Sequence, residues 1–279
     1  MSLVRSQTPE EREYARYLGE IEVRKRRVAE LQTELELLKE NLGRFDAEYH
    51  VRVGTLFVEL DRIQLSISEY EFRIARLLAD PDIPNDELER ETRARFSDQR
   101  DEIHHDEEQA RGYQHSFRKD RQRPQLDDAT ETVLKSLYRE LAKRFHPDLA
   151  RTDLERQQRE SIMKRINAAF HERDVDKLQS LRNETEIEDA SFESRSIGEK
   201  LVWAIREMSR LDDLLVSITS DIETLRTSDL ASLWQRHQAG EGVLEQLERD
   251  LNRRIESRRQ TLQQLVDEFQ ALTSQASDG

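Results

Sequence analysis

The stretch Leu137-Tyr138-Arg139-Glu140-Leu141-Ala142-Lys143-Arg144-Phe145-His146-Pro147-Asp148 decides how this chain is read. At 100° per residue, Leu134, Leu137, Tyr138, Leu141 and Phe145 share one helical face. Lys135, Arg139, Lys143 and His146 lie on an adjacent face, within about a right angle of one another. Pro147 has no amide hydrogen and biases His146 out of the helical region, so the helix is expected to stop there. Asp148 then sits on an exposed turn beside the end of a basic stripe. Asp127 or Asp128 is placed to cap this helix. Downstream, the loop Leu149–Arg151 leads to Thr152-x-x-Glu155, a capping box for a second helix. That helix carries Ile162, Ile166, Ala169 and Phe170 on one side, and a short helix around Asp176–Leu181 adds Leu178 and Leu181. Residues 127–182 thus read as a small unit in which two antiparallel helices of ~15–20 residues bury a modest core.

On either side the pattern changes to heptads. Thr8-Pro9-Glu10-Glu11 is a helix start: Thr8 caps, Pro9 suits the first helical position and Glu11 closes the box. A column then recurs every seven residues: Tyr14, Ile21, Val28, Leu35, Leu42, Tyr49, Leu56, Ile63, Tyr70, Leu77. A second column lies three residues on (Leu31, Leu38, Phe45), then four residues on (Val53, Leu60, Ile67, Ile74). This is a coiled-coil seam with a gradual shift of its stripe, roughly 95 Å long if unbroken. Gly43 is the one place for a fold-back, although the column keeps its phase there. Pro81 and Pro84 end the helix. Residues 85–123 form a very polar helical arm, solvated or partly disordered, closed by Pro124. After an acidic linker, Asn183 to Glu193, residues 196–275 carry two further seams: Leu201 to Leu225, and Leu244 to Leu272. The Gly240-Glu241-Gly242 break before the last seam suggests an antiparallel helical hairpin. The N-terminal coiled coil occupies residues 9–80.

The fold class is therefore all-α: a small helical unit between long coiled-coil and helical-hairpin regions. Composition agrees, since 37% charged and 6% aromatic residues leave too little apolar material for one round core. The net charge of −14, with Arg and Lys interleaved among Glu and Asp, argues against a nucleic-acid partner. With no cysteine, thiolate catalysis and Cys-bound zinc are excluded, which fits a reducing cytoplasm. Neither a secretory h-region near Met1 nor an apolar run of ~18 residues is present, so no membrane partner is expected. His104-His105-Asp106-Glu107-Glu108 and His115 invite a metal, but adjacent histidines diverge by about 100° on a helix and no HExxH spacing exists. No metal or cofactor is expected. Without GxxxxGK, GxGxxG or GxSxG strings, nucleotide binding and serine hydrolysis lack support.

Leu137 to Asp148 closely resembles the second helix and signature loop of J-domains, the DnaJ family. Ile166-Asn167-Ala168-Ala169-Phe170 is similar to that family's third-helix pattern at about the right distance. The resemblance covers about 55 of 279 residues. The family's usual first helix is not visible before Asp127. Its role falls to residues 103–122, to a flanking coiled coil, or to nothing. A Gly/Phe-rich linker and a Cys-rich region are also missing, so the chain looks like J-proteins that share only the J-domain.

The resemblance implies docking on a DnaK-type chaperone and stimulation of its ATP hydrolysis. Arg139, Lys143, Lys135 and Arg144 would meet an acidic surface of the ATPase. His146 and Pro147 would shape the loop, and Asp148 would make the specific ion pair with a partner arginine. The hydrolysis belongs to the partner, so this chain need not be an enzyme. The coiled coils would set oligomeric state by self-association or bind a client. The alternative is a structural coiled-coil scaffold carrying an inactive J-like unit.

Overall fold

A computed structural model describes residues 8–123, 126–150, 153–182 and 196–277. Pro124, Thr152 and the Asn183–Glu193 linker lie outside the described residues. The architecture is all-α. Its elements are α1 (Pro9–Tyr49), a π-turn (His50–Gly54), α2 (Thr55–Ala79), α3 (Asn85–Arg95), α4 (Ser97–Arg121), α5 (Asp128–Phe145), a 3-10 turn (Pro147–Leu149), α6 (Asp153–His171), α7 (Val175–Arg182), α8 (Ile197–Arg226), α9 (Asp229–Gln238) and α10 (Val243–Ser277). None of the described helices is long and apolar enough to cross a membrane.

Local signals place these helices well. Thr8 and Glu11 exchange the two hydrogen bonds of the capping box, at 2.8 and 3.2 Å. Gly43 lies within α1, so no fold-back occurs there. The seam's second column steps eight residues from Phe45 to Val53 where seven would keep register. The π-turn His50–Gly54 falls in that interval, with right-handed backbone at both of its flanks. A π-turn accommodates one extra residue, so it re-phases the stripe without breaking the helix. The chain leaves α2 at Asp80, just before Pro81, as the prolines dictate.

The described residues divide into two compact units. The first comprises those within Met1–Leu42 and Arg123–Ala231. Here the seam of α1 packs on α8: Ile21, Val28, Leu31 and Leu35 bury against Ala204, Leu211, Ile218 and Ile222, with Trp203 at the edge. Arg24 bonds Asp212 and Glu34 pairs with Arg226, so the two helices run parallel. The small helical unit sits on another face of α1. Leu134, Leu137, Tyr138, Leu141 and Phe145 of α5 meet Met163, Ile166, Ala169 and Phe170 of α6 and Leu178 and Leu181 of α7. Ala29 of α1, 4% exposed, is part of that core, and Leu37 packs against it.

The second unit comprises Gly43–Gln122 and the described residues within Ser232–Gly279. Its helices α2 and α10 also run parallel: Glu59 pairs with Arg259, and Tyr70 packs edge-on against Phe269. Arg52 in the π-turn bonds Glu48, Glu245 and Glu248, a network that raises its affinity for its proton. Helices α3 and α4 return antiparallel along α2 through Arg73–Glu89, Arg76–Glu91, Arg100–Glu69 and Arg62–Glu107 pairs. Leu88 and Phe96 are buried there.

Two expectations are corrected. The two seams of residues 196–275 fall in different units: α8 pairs with α1 and α10 with α2, both parallel, where an antiparallel hairpin is expected from the sequence. Residues 85–121 are helical as expected, in α3 and α4, but ion pairs dock these polar helices along α2, so they are not a free arm. Most of the described seam residues are thus covered from within one chain, although Ile205 stays exposed.

Ala29 is the test of the join between α1 and the small unit. Ala29→Glu would bury an unpaired carboxylate and is expected to lower unfolding free energy by about 2–4 kcal/mol in urea titration. Glu30→Ala, at the exposed neighbouring position, is expected to change it by less than about 0.5 kcal/mol. Equal effects would disprove the join.

Candidate functional site

The basic stripe and its loop stand on α5. Asp127 caps the helix by accepting the Thr130 amide at 2.8 Å, which holds its carboxyl below the usual range. The five apolar residues of the buried face then anchor the helix to α6. The helix ends at Phe145, one residue before the position that Pro147 excludes. His146 is extended (φ −60°, ψ 128°), and Pro147 opens the 3-10 turn. Helix end, proline and turn together fix the backbone that presents Asp148.

Within the loop, His146 is 7% exposed, not on the surface as helix geometry would place it. Its Nδ1 accepts the Asp148 amide at 3.2 Å. Burial lowers its pKa below the ordinary 6.5; Asp148 opposes this, while Arg210 of α8 and Arg159 of α6 add to it. The ring is therefore a neutral acceptor that closes the turn. The Asp148 carboxylate, about one-third exposed, takes a 3.3 Å contact from Arg156 of α6. It is presented to solvent but already partnered.

The other expected residues separate by role. Arg139 is exposed. Lys135 is half-buried and pairs with Glu131 one turn earlier at 2.7 Å. Lys143 is exposed and pairs with Glu22 of α1 at 2.9 Å. Arg144 turns inward: it donates to the Arg182 carbonyl at 2.7 Å and lies over the Phe145 ring. Its place is structural, tying α5 to the end of α7, and it does not join a solvent-facing stripe.

Several contributors were not legible in the motif. On α6, Arg159 pairs with buried Glu155 at 2.7 Å and donates to the Arg144 carbonyl at 2.6 Å. It satisfies a carbonyl in the last turn of α5 just before the loop. Tyr138 is fully buried, and its hydroxyl donates to Asn167 Oδ1 at 2.9 Å. Burial, with the Glu36 charge nearby, keeps that phenol protonated. Glu22, Glu36 and Glu40 of α1 meet Lys143, His171 and Arg173 of the small unit at 2.9, 3.6 and 3.6 Å. Burial alone would raise the Glu36 carboxyl, but His171 and Lys39 hold it below its ordinary range.

Arg173 breaks a local rule. Helices α6 and α9 end in the same hydrogen-bond pattern, with the left-handed position at Arg173 (φ 57°) in one and Gly240 (φ 76°) in the other. Glycine takes that conformation freely, whereas arginine does so at a cost of about 1 kcal/mol. The Arg173 side chain points to Glu40, so the contact with α1 offsets the strain.

In the second unit, His104 lies near Glu107 and Glu108, and His105 bonds Gln109. No group of three or more metal-ligating side chains occurs among the described residues. No protein-family model matches the chain, and neither a curated protein nor a solved structure matches it.

The buried His146 makes stability depend on pH. As pH falls through about 6.5, the unfolded chain takes up the proton before the folded one, so stability present above that pH is lost. His146→Gln removes this group, and the urea midpoint of the wild type is expected to fall relative to the variant between about pH 6.5 and 5. A difference that does not vary with pH would rule out a buried neutral imidazole.

Proposed function

We propose that this chain is a J-domain-type co-chaperone that docks on a DnaK-type ATPase in the cytoplasm and stimulates its ATP hydrolysis. One observation carries the reading. A basic helix face ends at a proline-fixed turn whose backbone is pinned by His146, and whose carboxylate, Asp148, is partly exposed beside Arg156. Arg139, Lys143 and Lys135 would steer the complex, and their long-range attraction would accelerate association at low salt. Asp148 would exchange Arg156 for a partner arginine. His146 and Pro147 shape the turn without touching the partner, and Arg144 contributes by tying α5 to α7. The chain supplies no catalytic group of its own; the hydrolysis is the partner's.

A second reading has its own support. The core of residues 127–182 is completed by Ala29 and Leu37 of α1, so the small unit is built into a coiled coil. A scaffold that kept a J-like unit only as a packing element would have this arrangement. Such a scaffold would self-associate through surfaces other than the seams and would not bind a DnaK-type protein.

Single-turnover ATP hydrolysis by a DnaK-type chaperone separates the two. The wild-type chain is expected to accelerate it, and Asp148→Asn to remove the acceleration. Because Asp148 pairs only at the surface, its substitution is expected to cost less than about 1 kcal/mol of stability. Equal acceleration by both proteins, or none by either, would reject the docking reading.

A further inference from the structure

Helix α1 does two things to the small unit. It closes the apolar core with Ala29, and it lays an acidic row along the unit's basic groups: Glu22 on Lys143, Glu36 on His171 and Glu40 on Arg173. Glu22, Ala29 and Glu36 follow one another at seven-residue spacing, so they occupy a single helical face. That face is distinct from the Ile21, Val28 and Leu35 column that meets α8. Glu22 is of particular interest because Lys143 lies on the stripe that leads to the His146-Pro147-Asp148 turn. A charge on that stripe is already answered by a carboxylate of the same chain.

From this geometry we infer that α1 is a built-in competitor for the docking surface. This inference rests on the proposed docking function. The Glu22 carboxylate occupies Lys143 in the resting protein, and an acidic partner surface must displace it before Lys143 can contribute.

The grip of α1 is uneven along its length. Side chains of Glu36 and Glu40 are 10% and 8% exposed, whereas Glu22 and Lys143 are 55% and 43% exposed. Burial raises the Glu22 carboxyl, yet Lys143 outweighs it, followed by Lys25 and Arg26, and holds the group ionised. The pair is intact and wet, so it can open without unpacking Ala29. Exposed pairs of this kind are worth little, so the restraint is a modest one that sets sensitivity.

The test is a double-mutant cycle on the concentration that half-maximally stimulates single-turnover ATP hydrolysis by a DnaK-type chaperone. Glu22→Gln frees Lys143 and is expected to lower that concentration by about two- to fivefold. Lys143→Gln raises it, and in that background Glu22→Gln is expected to have no further effect. Glu13→Gln, which breaks a pair within α1 alone, is the control and leaves the wild-type value. A merely structural role for Glu22 would weaken stimulation, so an unchanged or raised concentration for Glu22→Gln overturns the inference. Additive effects of the two substitutions overturn it as well. If wild type and every variant fail to stimulate, the docking function itself is wrong and the inference falls with it. Stimulation by the wild type with a silent Glu22 overturns the competitor alone.

Discussion

An α-helix with a long heptad stripe cannot leave that stripe in water, and α1 is under this constraint twice over. Its first face, built from Ile21, Val28, Leu31 and Leu35, is covered by α8. Its second face, built from Ala29 and Leu37 with Glu22, Glu36 and Glu40 around them, is covered by the small unit. Each buried Leu or Ile contributes roughly 1.5–3 kcal/mol relative to exposure, so neither face can be released cheaply. The residues 127–182 need α1 for the same reason. Ala29 of α1 completes the core formed by α5, α6 and α7, and Leu37 packs against it.

The parts of the fold that could be read in the sequence are those fixed by neighbours in the chain. Asp127 caps α5, Pro147 ends it, Thr8 and Glu11 close their box, and the seams fall on the residues with heptad spacing. What heptads do not encode is the partner. Leu and Ile columns look alike from any approaching helix, so parallel and antiparallel pairing share one pattern. The short Gly240-Gly242 connection pointed to a hairpin, yet α8 packs on α1 and α10 on α2. The polar arm was misread for a different reason. Four Arg–Glu pairs dock α3 and α4, and paired charges have the same hydropathy as free ones. The π-turn was present in the numbers, as the eight-residue step from Phe45 to Val53, but a one-residue slip reads as drift until the backbone shows where it is absorbed.

At the candidate site, spacing along the chain does not fix what each side chain touches. Helical periodicity put His146 on the basic face, whereas Pro147 turns the chain so that the ring goes under the loop and accepts the Asp148 amide. Arg144 lies in register between two faces, and the Arg182 carbonyl draws it inward. Neither outcome follows from spacing, since both depend on groups about one turn or many residues away. The supporting arginines of α6 are similar. Arg156 and Arg159 stand one turn apart on that helix, yet one holds the Asp148 carboxylate and the other caps α5. A pattern search for one helix and one loop has no means of seeing them.

The distribution of burial along the α1 contact bears on how such a site can be both stable and exchangeable. A buried ion pair is expensive to break, because opening it strands a charge in low dielectric. An exposed pair exchanges one hydrated partner for another at little net cost. The Glu40–Arg173 pair belongs to the first kind and, with the buried Glu36 carboxylate, lies at the end of the contact away from the loop, where Arg173 accepts backbone strain to stay in place. Glu22 belongs to the second kind and lies beside the stripe that leads to Asp148. The same helix can therefore hold the unit's core shut while leaving its charged surface open to substitution by another acidic group. Reversing the order, with the buried pair on Lys143 and the wet one at Arg173, would lock the stripe and loosen the core.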